Sequence, residues 1–81
     1  MRIDKFLKES RIIKRRVLAK EATDNGHIYI NQKQVKPSDT VSIGDVLEIK
    51  FAKKTLKVKI TSIKPLKGED MFEVIEESMR H

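Results

Sequence analysis

The apolar positions change their period once along this chain, and the change divides it into a helical front and a stranded remainder. Ile3, Phe6, Leu7 and Ser10 recur at i, i+3, i+4 and i+7, which is one face of an α-helix. Asp4 lies in the first turn, where a carboxylate accepts orphan amide hydrogens and opposes the helix dipole favourably. The complementary face carries Lys5, Lys8 and Glu9, with Arg11 after the last turn. Ile12 and Ile13 plug the link to a second helix, predicted over Arg15 to Asn25 with Leu18, Ala22 and Val17 turned inward. Asn25-Gly26 ends that helix, because both residues tolerate the left-handed conformation of a C-terminal cap.

Beyond this point the period shortens to two. Ile28 and Ile30 flank Tyr29, and Asn31-Gln32-Lys33 reads as a tight connection to a short strand through Val35. Pro37-Ser38-Asp39 and Gly44-Asp45 are turns. Leu47, Ile49 and Phe51 alternate with Glu48 and Lys50; after a hairpin at Ala52 to Thr55, Leu56, Val58 and Ile60 alternate with Lys57 and Lys59. A phase slip at Ser62-Ile63 predicts a bulge or a strand end, Pro65 to Asp70 a polar loop, and Phe72 with Val74 a last edge strand whose continuation, Glu76 to His81, frays. The class is α+β: an N-terminal helix pair packed on a small, mostly antiparallel sheet with a C-terminal hairpin extension.

Charge sharpens this picture. Met1 to Lys20 holds eight Lys or Arg against Asp4 and Glu9, a local charge of +6, whereas from Glu21 onward ten cations face ten anions. The whole net charge of +6 thus sits on the first quarter of the chain, the electrostatic footprint expected of a nucleic-acid binder. With few acids in pairing range at i+4, clustered cations repel one another unless phosphates neutralise them. Arg grips phosphate bidentately, which singles out Arg2, Arg15 and Arg16.

Length and composition exclude much else. Eighty-one residues make one small domain with a thin core, since such a chain buries only about 60% of its unfolded surface. Cysteine is absent, which rules out disulfides, thiolate metal sites and thiol catalysis. No apolar run reaches the roughly 20 residues that span a bilayer, and the charged N-terminus has no signal-peptide core, so the expectation is a soluble cytoplasmic protein. His27 and His81 stand 54 positions apart without neighbouring ligands, so neither a metal nor a cofactor is expected. There is no Ser-His-Asp order, no glycine-rich phosphate loop and no carboxylate pair, and the chain reads as a non-enzyme.

Several of these residues also stand in a known order. R-I-D-K-F-L at positions 2 to 7, R-x-x-A-K from Arg16 to Lys20, G-H-I-Y-I-N at 26 to 31 and G-D at 44 and 45 resemble the alpha-L motif, the RNA-binding module called the S4 domain. The resemblance covers about positions 1 to 51, leaving 52 to 81 as a hairpin and edge-strand extension of the same domain. Two positions depart from the pattern: Arg15 stands where many members have a Ser or Thr N-cap, and Gln32 where many have Gly. The K-R-R at 14 to 16 and the short tail look most like the stand-alone members that act in ribosome-associated quality control, and next like the small heat-shock members.

This resemblance implies an alpha-L fold whose partners are large-subunit rRNA and P-site tRNA on the dissociated large ribosomal subunit. It also implies template-free alanine tailing of a stalled nascent chain, carried out with a partner protein that recruits tRNA. The candidate RNA-binding residues are Arg2, Asp4, Lys5, Arg11, Lys14, Arg15, Arg16, Lys20, Asn31 and Lys33. Asp4 has a structural role as helix start and an implied one in holding a neighbouring Arg. Tyr29 offers a base-stacking face, against its commoner role of covering the core edge. Lys50, Lys53, Lys54, Lys57 and Lys59 form either a second RNA patch or a wet sheet face that blocks edge pairing. Rival readings are the RNA-targeting module of an rRNA-modifying enzyme and a pure protein adaptor.

Overall fold

The first helix obtains its start from a turn more than thirty residues further along the chain rather than from a capping side chain. The structure is a computed structural model that describes residues 1–64 and 70–79. Helix α1 spans Ile3–Glu9 with Arg2 as an N-cap that makes no side-chain capping bond. Its orphan amides are nonetheless satisfied: Ile3 donates to the Asp39 carbonyl (2.7 Å), Asp4 to Pro37 (3.5 Å), and Lys5 to the Asp4 carboxylate (2.7 Å). The turn at 37–39 is therefore part of the helix terminus, reinforced by a bridge between Arg2 and Thr40. Ile3, Phe6 and Leu7 are fully buried, on the predicted face. At the far end Arg11 takes the left-handed conformation (φ 66°) and donates to the Lys8 carbonyl, a position where glycine is usual.

Helix α2 spans Arg16–Asp24, with Arg15 as an N-cap that likewise makes no side-chain bond. Here the expected inward face is corrected. Val17 and Leu18 are 66% and 46% exposed, and the buried positions are Ala19 and Thr23, with Ala22 packed against the core. The helix turns its small residues inward because they allow it to lie close to α1, and Thr23 is admitted because its hydroxyl donates to the Ala19 carbonyl (2.7 Å). Gly26, at φ 78°, closes the helix while His27 donates to the Ala22 carbonyl.

Five strands follow: β1 (Ile28–Ile30), β2 (Lys33–Gln34), β3 (Val46–Lys50), β4 (Lys54–Ile60) and β5 (Phe72–Met79). All neighbours are antiparallel, in the order β2-β1-β3-β4-β5. The registers Ile28↔Ile49, Ile30↔Leu47 and Leu47↔Val58 bring the apolar residues onto one face, where they meet Phe6, Ile3 and Leu7. The last strand is longer than expected: Glu76 to Met79 pair with β4 instead of fraying, held by cross-strand charges that include Lys54–Glu77 at 2.9 Å. The irregularity expected at Ser62-Ile63 is the end of β4, whereas the β-bulge lies between Lys57 and Val58, where Ile75 is left unpaired. The predicted loop at 65–69 and residues Arg80 and His81 lie outside the described residues.

The β1–β2 connection is a two-residue loop, with Asn31 at φ 51° and Gln32 at φ 71°. Positive φ at both central residues marks the turn that favours Asn-Gly. Gln32 holds that conformation at a cost of about 1 kcal/mol. Gln32→Gly is expected to raise the thermal midpoint by several degrees, since about 1 kcal/mol moves a domain of this size by roughly 4–8 °C. A lower midpoint would show that the Gln32 side chain contributes more than its backbone strain costs.

Candidate nucleic-acid interface

Twelve residues apart in sequence, Asp4 and Arg16 meet where α1 and α2 cross, and Arg2 joins them. The Asp4 side chain is only 4% exposed. Its Oδ2 accepts from Arg2 Nη2 at 3.2 Å, and its Oδ1 accepts from Arg16 Nη2 at 3.4 Å and from the Lys5 amide at 2.7 Å. A buried carboxylate must be paired and hydrogen-bonded to be tolerated, and these three donors supply that. The arginine side chains are 48% and 49% exposed. Each guanidinium has five N–H donors, so each keeps most of them directed away from Asp4. One carboxylate thus positions two cations side by side and leaves them a net positive charge with free donors.

Fold geometry explains why these three groups converge. Arg2 is the residue before α1, Asp4 lies in its first turn, and Arg16 is the first residue of α2. The packing of α2 against α1, with Ala19 in the shared core, brings the start of α2 to the start of α1. Neither ion pair has the i+4 spacing of a helix face: one is at i+2 and the other bridges two helices. The one available sequence signal is a carboxylate in the first turn of an apolar-faced helix in a segment otherwise dominated by cations.

The remaining candidates fall into two groups. Lys5, Arg11, Lys14, Arg15 and Lys20 are exposed, and none has an ion pair among the described residues. Lys5 follows Asp4 on α1, Arg11 and Lys14 lie on the link, Arg15 caps α2, and Lys20 lies one turn after Arg16. Arg11 is retained in a backbone conformation that disfavours it, a form of local strain that gathers at functional sites. Asn31 and Lys33 lie apart on the β1–β2 hairpin. Asn31 is committed to the fold, its Oδ1 accepting from the Val46 amide (2.9 Å) and its Nδ2 donating to Asp45 (3.2 Å). Lys33 is exposed on the edge strand β2.

The sheet's outer face sets cations beside anions. Lys57 stands opposite Glu48 on one strand and Glu76 on the other, Lys59 stands opposite Glu73, and Lys54 forms an ion pair with Glu77. Lys50 places its ammonium 4.5 Å from the Tyr29 ring centroid, so one face of that ring is already occupied. These pairings favour the wet-face reading of the hairpin lysines. They contrast with the unpaired cations at the helical front.

The buried carboxylate makes a testable difference to stability. Asp4→Asn is expected to lower the unfolding free energy by about 1–2 kcal/mol, because a buried site then lacks its charged hydrogen bonds to both arginines. Arg16→Ala should cost less than about 1 kcal/mol, since its head is half solvated and Arg2 remains. Urea unfolding compares the two, and a destabilisation by Arg16→Ala as large as that by Asp4→Asn would contradict the assignment of Asp4 as the centre.

The chain is similar to known proteins over most of its length. The S4 domain profile matches residues 1–47. The chain is 43% identical over 81 residues to the RQC P-site tRNA stabilizing factor of Bacillus subtilis (strain 168), covering 95% of this chain and 94% of that protein. It is 46% identical to the factor of the same name from Streptococcus pneumoniae, covering 96% and 93%. Among solved structures, the trimeric Heat Shock Protein 15 of Vibrio cholerae superposes with a TM-score of 0.82 at 24% identity over 91% of this chain and 80% of that one, a likeness of fold. On the profile match and these relatives together, the chain belongs to the S4 domain family.

Proposed function

We propose that this chain is a non-enzymatic RNA-binding factor of ribosome-associated quality control, working in the cytoplasm. In this reading it binds the dissociated large ribosomal subunit that carries a stalled peptidyl-tRNA. It contacts rRNA and the P-site tRNA, and so supports alanine tailing by a partner protein that recruits tRNA. The observation that carries the reading is the arginine pair held by Asp4 on a cationic front where, among the described residues, Lys5, Arg11, Lys14, Arg15 and Lys20 have no ion pair. The relatives named for P-site tRNA stabilisation support the specific role, since they are matched over nearly their whole length. Residues 1–51 would carry the RNA contacts, with the following strands completing the sheet behind them.

Mechanistically, folded RNA presents phosphates and 2′-hydroxyls at fixed spacing, and a rigid protein face recognises it by shape and backbone contact. Arg2 and Arg16 arrive pre-oriented, so binding restricts little further side-chain freedom. Lys14, Arg15 and Lys20 extend the phosphate contacts along the link and α2, adding counterion release to the affinity.

The test compares two triple variants that remove equal charge. Replacing Arg2, Arg15 and Arg16 by Gln is expected to reduce co-sedimentation with large subunits at least tenfold and to abolish alanine tails in cells. Replacing Lys53, Lys54 and Lys57 by Gln is expected to leave both near the wild-type level, because two of the three lysines face carboxylates. A hairpin variant more defective than the arginine variant would move the binding face to the sheet.

A further inference from the structure

A second feature lies where the end of α2 meets the end of β3. His27 donates its amide to Ala22 and accepts from the Lys50 amide at 2.8 Å, which ties the two elements together. Beside this tie runs an open groove of about 290 Å³. Ile13, Ala22, Ile49 and Phe51 give it apolar walls, and His27 and Lys50 stand among its lining residues without any carboxylate. Phe51 is half-buried, with the Lys54 ammonium 5.8 Å from its ring centroid. Ile13 is followed directly by Lys14 and Arg15, both exposed and unpaired among the described residues.

We infer that this groove receives a single unpaired nucleotide of the bound RNA. Three observations select that occupant. No carboxylate lines it, and the exposed cations Lys14 and Arg15 directly follow its lining residue Ile13, which favours an anionic ligand. Its volume lies at the small end of the range for small-molecule sites, and an amphipathic helix needs a longer groove with several successive anchors. Its walls offer an aromatic ring and aliphatic surface for a base, while the exposed Lys14 and Arg15 beside Ile13 would meet the flanking phosphates. Unpaired bases are the part of RNA that proteins hold in this way. The inference rests on the RNA-binding reading and adds to it: the arginine face would grip the helix, and the groove would select a site with an extruded base beside it.

Fluorescence anisotropy with two RNA hairpins of equal length tests this, one with a continuous stem and one with a single bulged uridine. The full chain is expected to bind the bulged hairpin about tenfold more tightly, the order of effect that one base–aromatic stack supplies. Ala22→Met, which fills the groove with a good helix former, should abolish the preference and leave continuous-stem binding unchanged. Phe51→Ala should do the same; both side chains pack on the core, so the variant whose circular dichroism stays native is the one that decides. Arg16→Ala should weaken both hairpins equally. Equal wild-type binding to the two hairpins, or a preference that survives Ala22→Met, would overturn the inference while leaving the RNA-binding reading in place. If neither hairpin binds, both are overturned. If an acidic amphipathic peptide is displaced by Ala22→Met while the hairpin preference is unaffected, the groove belongs to a protein partner instead.

Discussion

The Asp4 carboxylate, buried where two helices begin, is the constraint on which the rest of the structure depends. Its burial is tolerated because Arg2, Arg16 and the Lys5 amide all donate to it. Those partners in turn require α1 to start at Ile3, α2 to start at Arg16, and the two helices to pack together with Ala19 in the shared core. The small residues of α2 and the strongly charged front are therefore parts of one arrangement. Close helix packing brings distant cations to one acid, and the acid offsets the repulsion that would otherwise splay them.

The sheet contributes support of a different kind. The turn at 37–39 supplies acceptors for the first amides of α1, so the helix terminus that presents Arg2 is fixed by the segment between β2 and β3. Asn31 fastens the β1–β2 hairpin to the start of β3, and the outer strands set Lys57 and Lys59 opposite glutamates and pair Lys54 with Glu77. Charge is thus divided by position: balanced on the sheet, unbalanced at the helices. That division gives the molecule one face suited to phosphate.

Much of this was legible in the sequence because periodicity reports burial directly. The α1 face, the strand alternation and the hairpin at Asn31-Gln32 all appear where the apolar spacing places them. Three features were not legible, for physical reasons. In α2 the larger apolar side chains, Val17 and Leu18, lie outside and the small ones inside, because the distance between helices, which no single helix encodes, decides which residues fit. The Asp4–Arg16 pair crosses twelve positions and exists only once the helices have packed. The length of β5 escaped for a similar reason, since Glu76 and Glu77 are poor strand formers until Lys57 and Lys54 stand opposite them.

The measurement that bears most directly on the central claim is the salt dependence of large-subunit binding, taken on the wild type and on Asp4→Asn. Simple electrostatics expects the variant to bind RNA better, since it gains one unit of net positive charge. If Asp4 positions Arg2 and Arg16 for phosphate, the variant binds about tenfold more weakly. Its log–log salt slope is then also shallower by about 0.7–0.9 for each phosphate that the two arginines no longer neutralise. An Asp4→Asn protein that is folded and binds as tightly as the wild type, with an unchanged slope, would contradict the account.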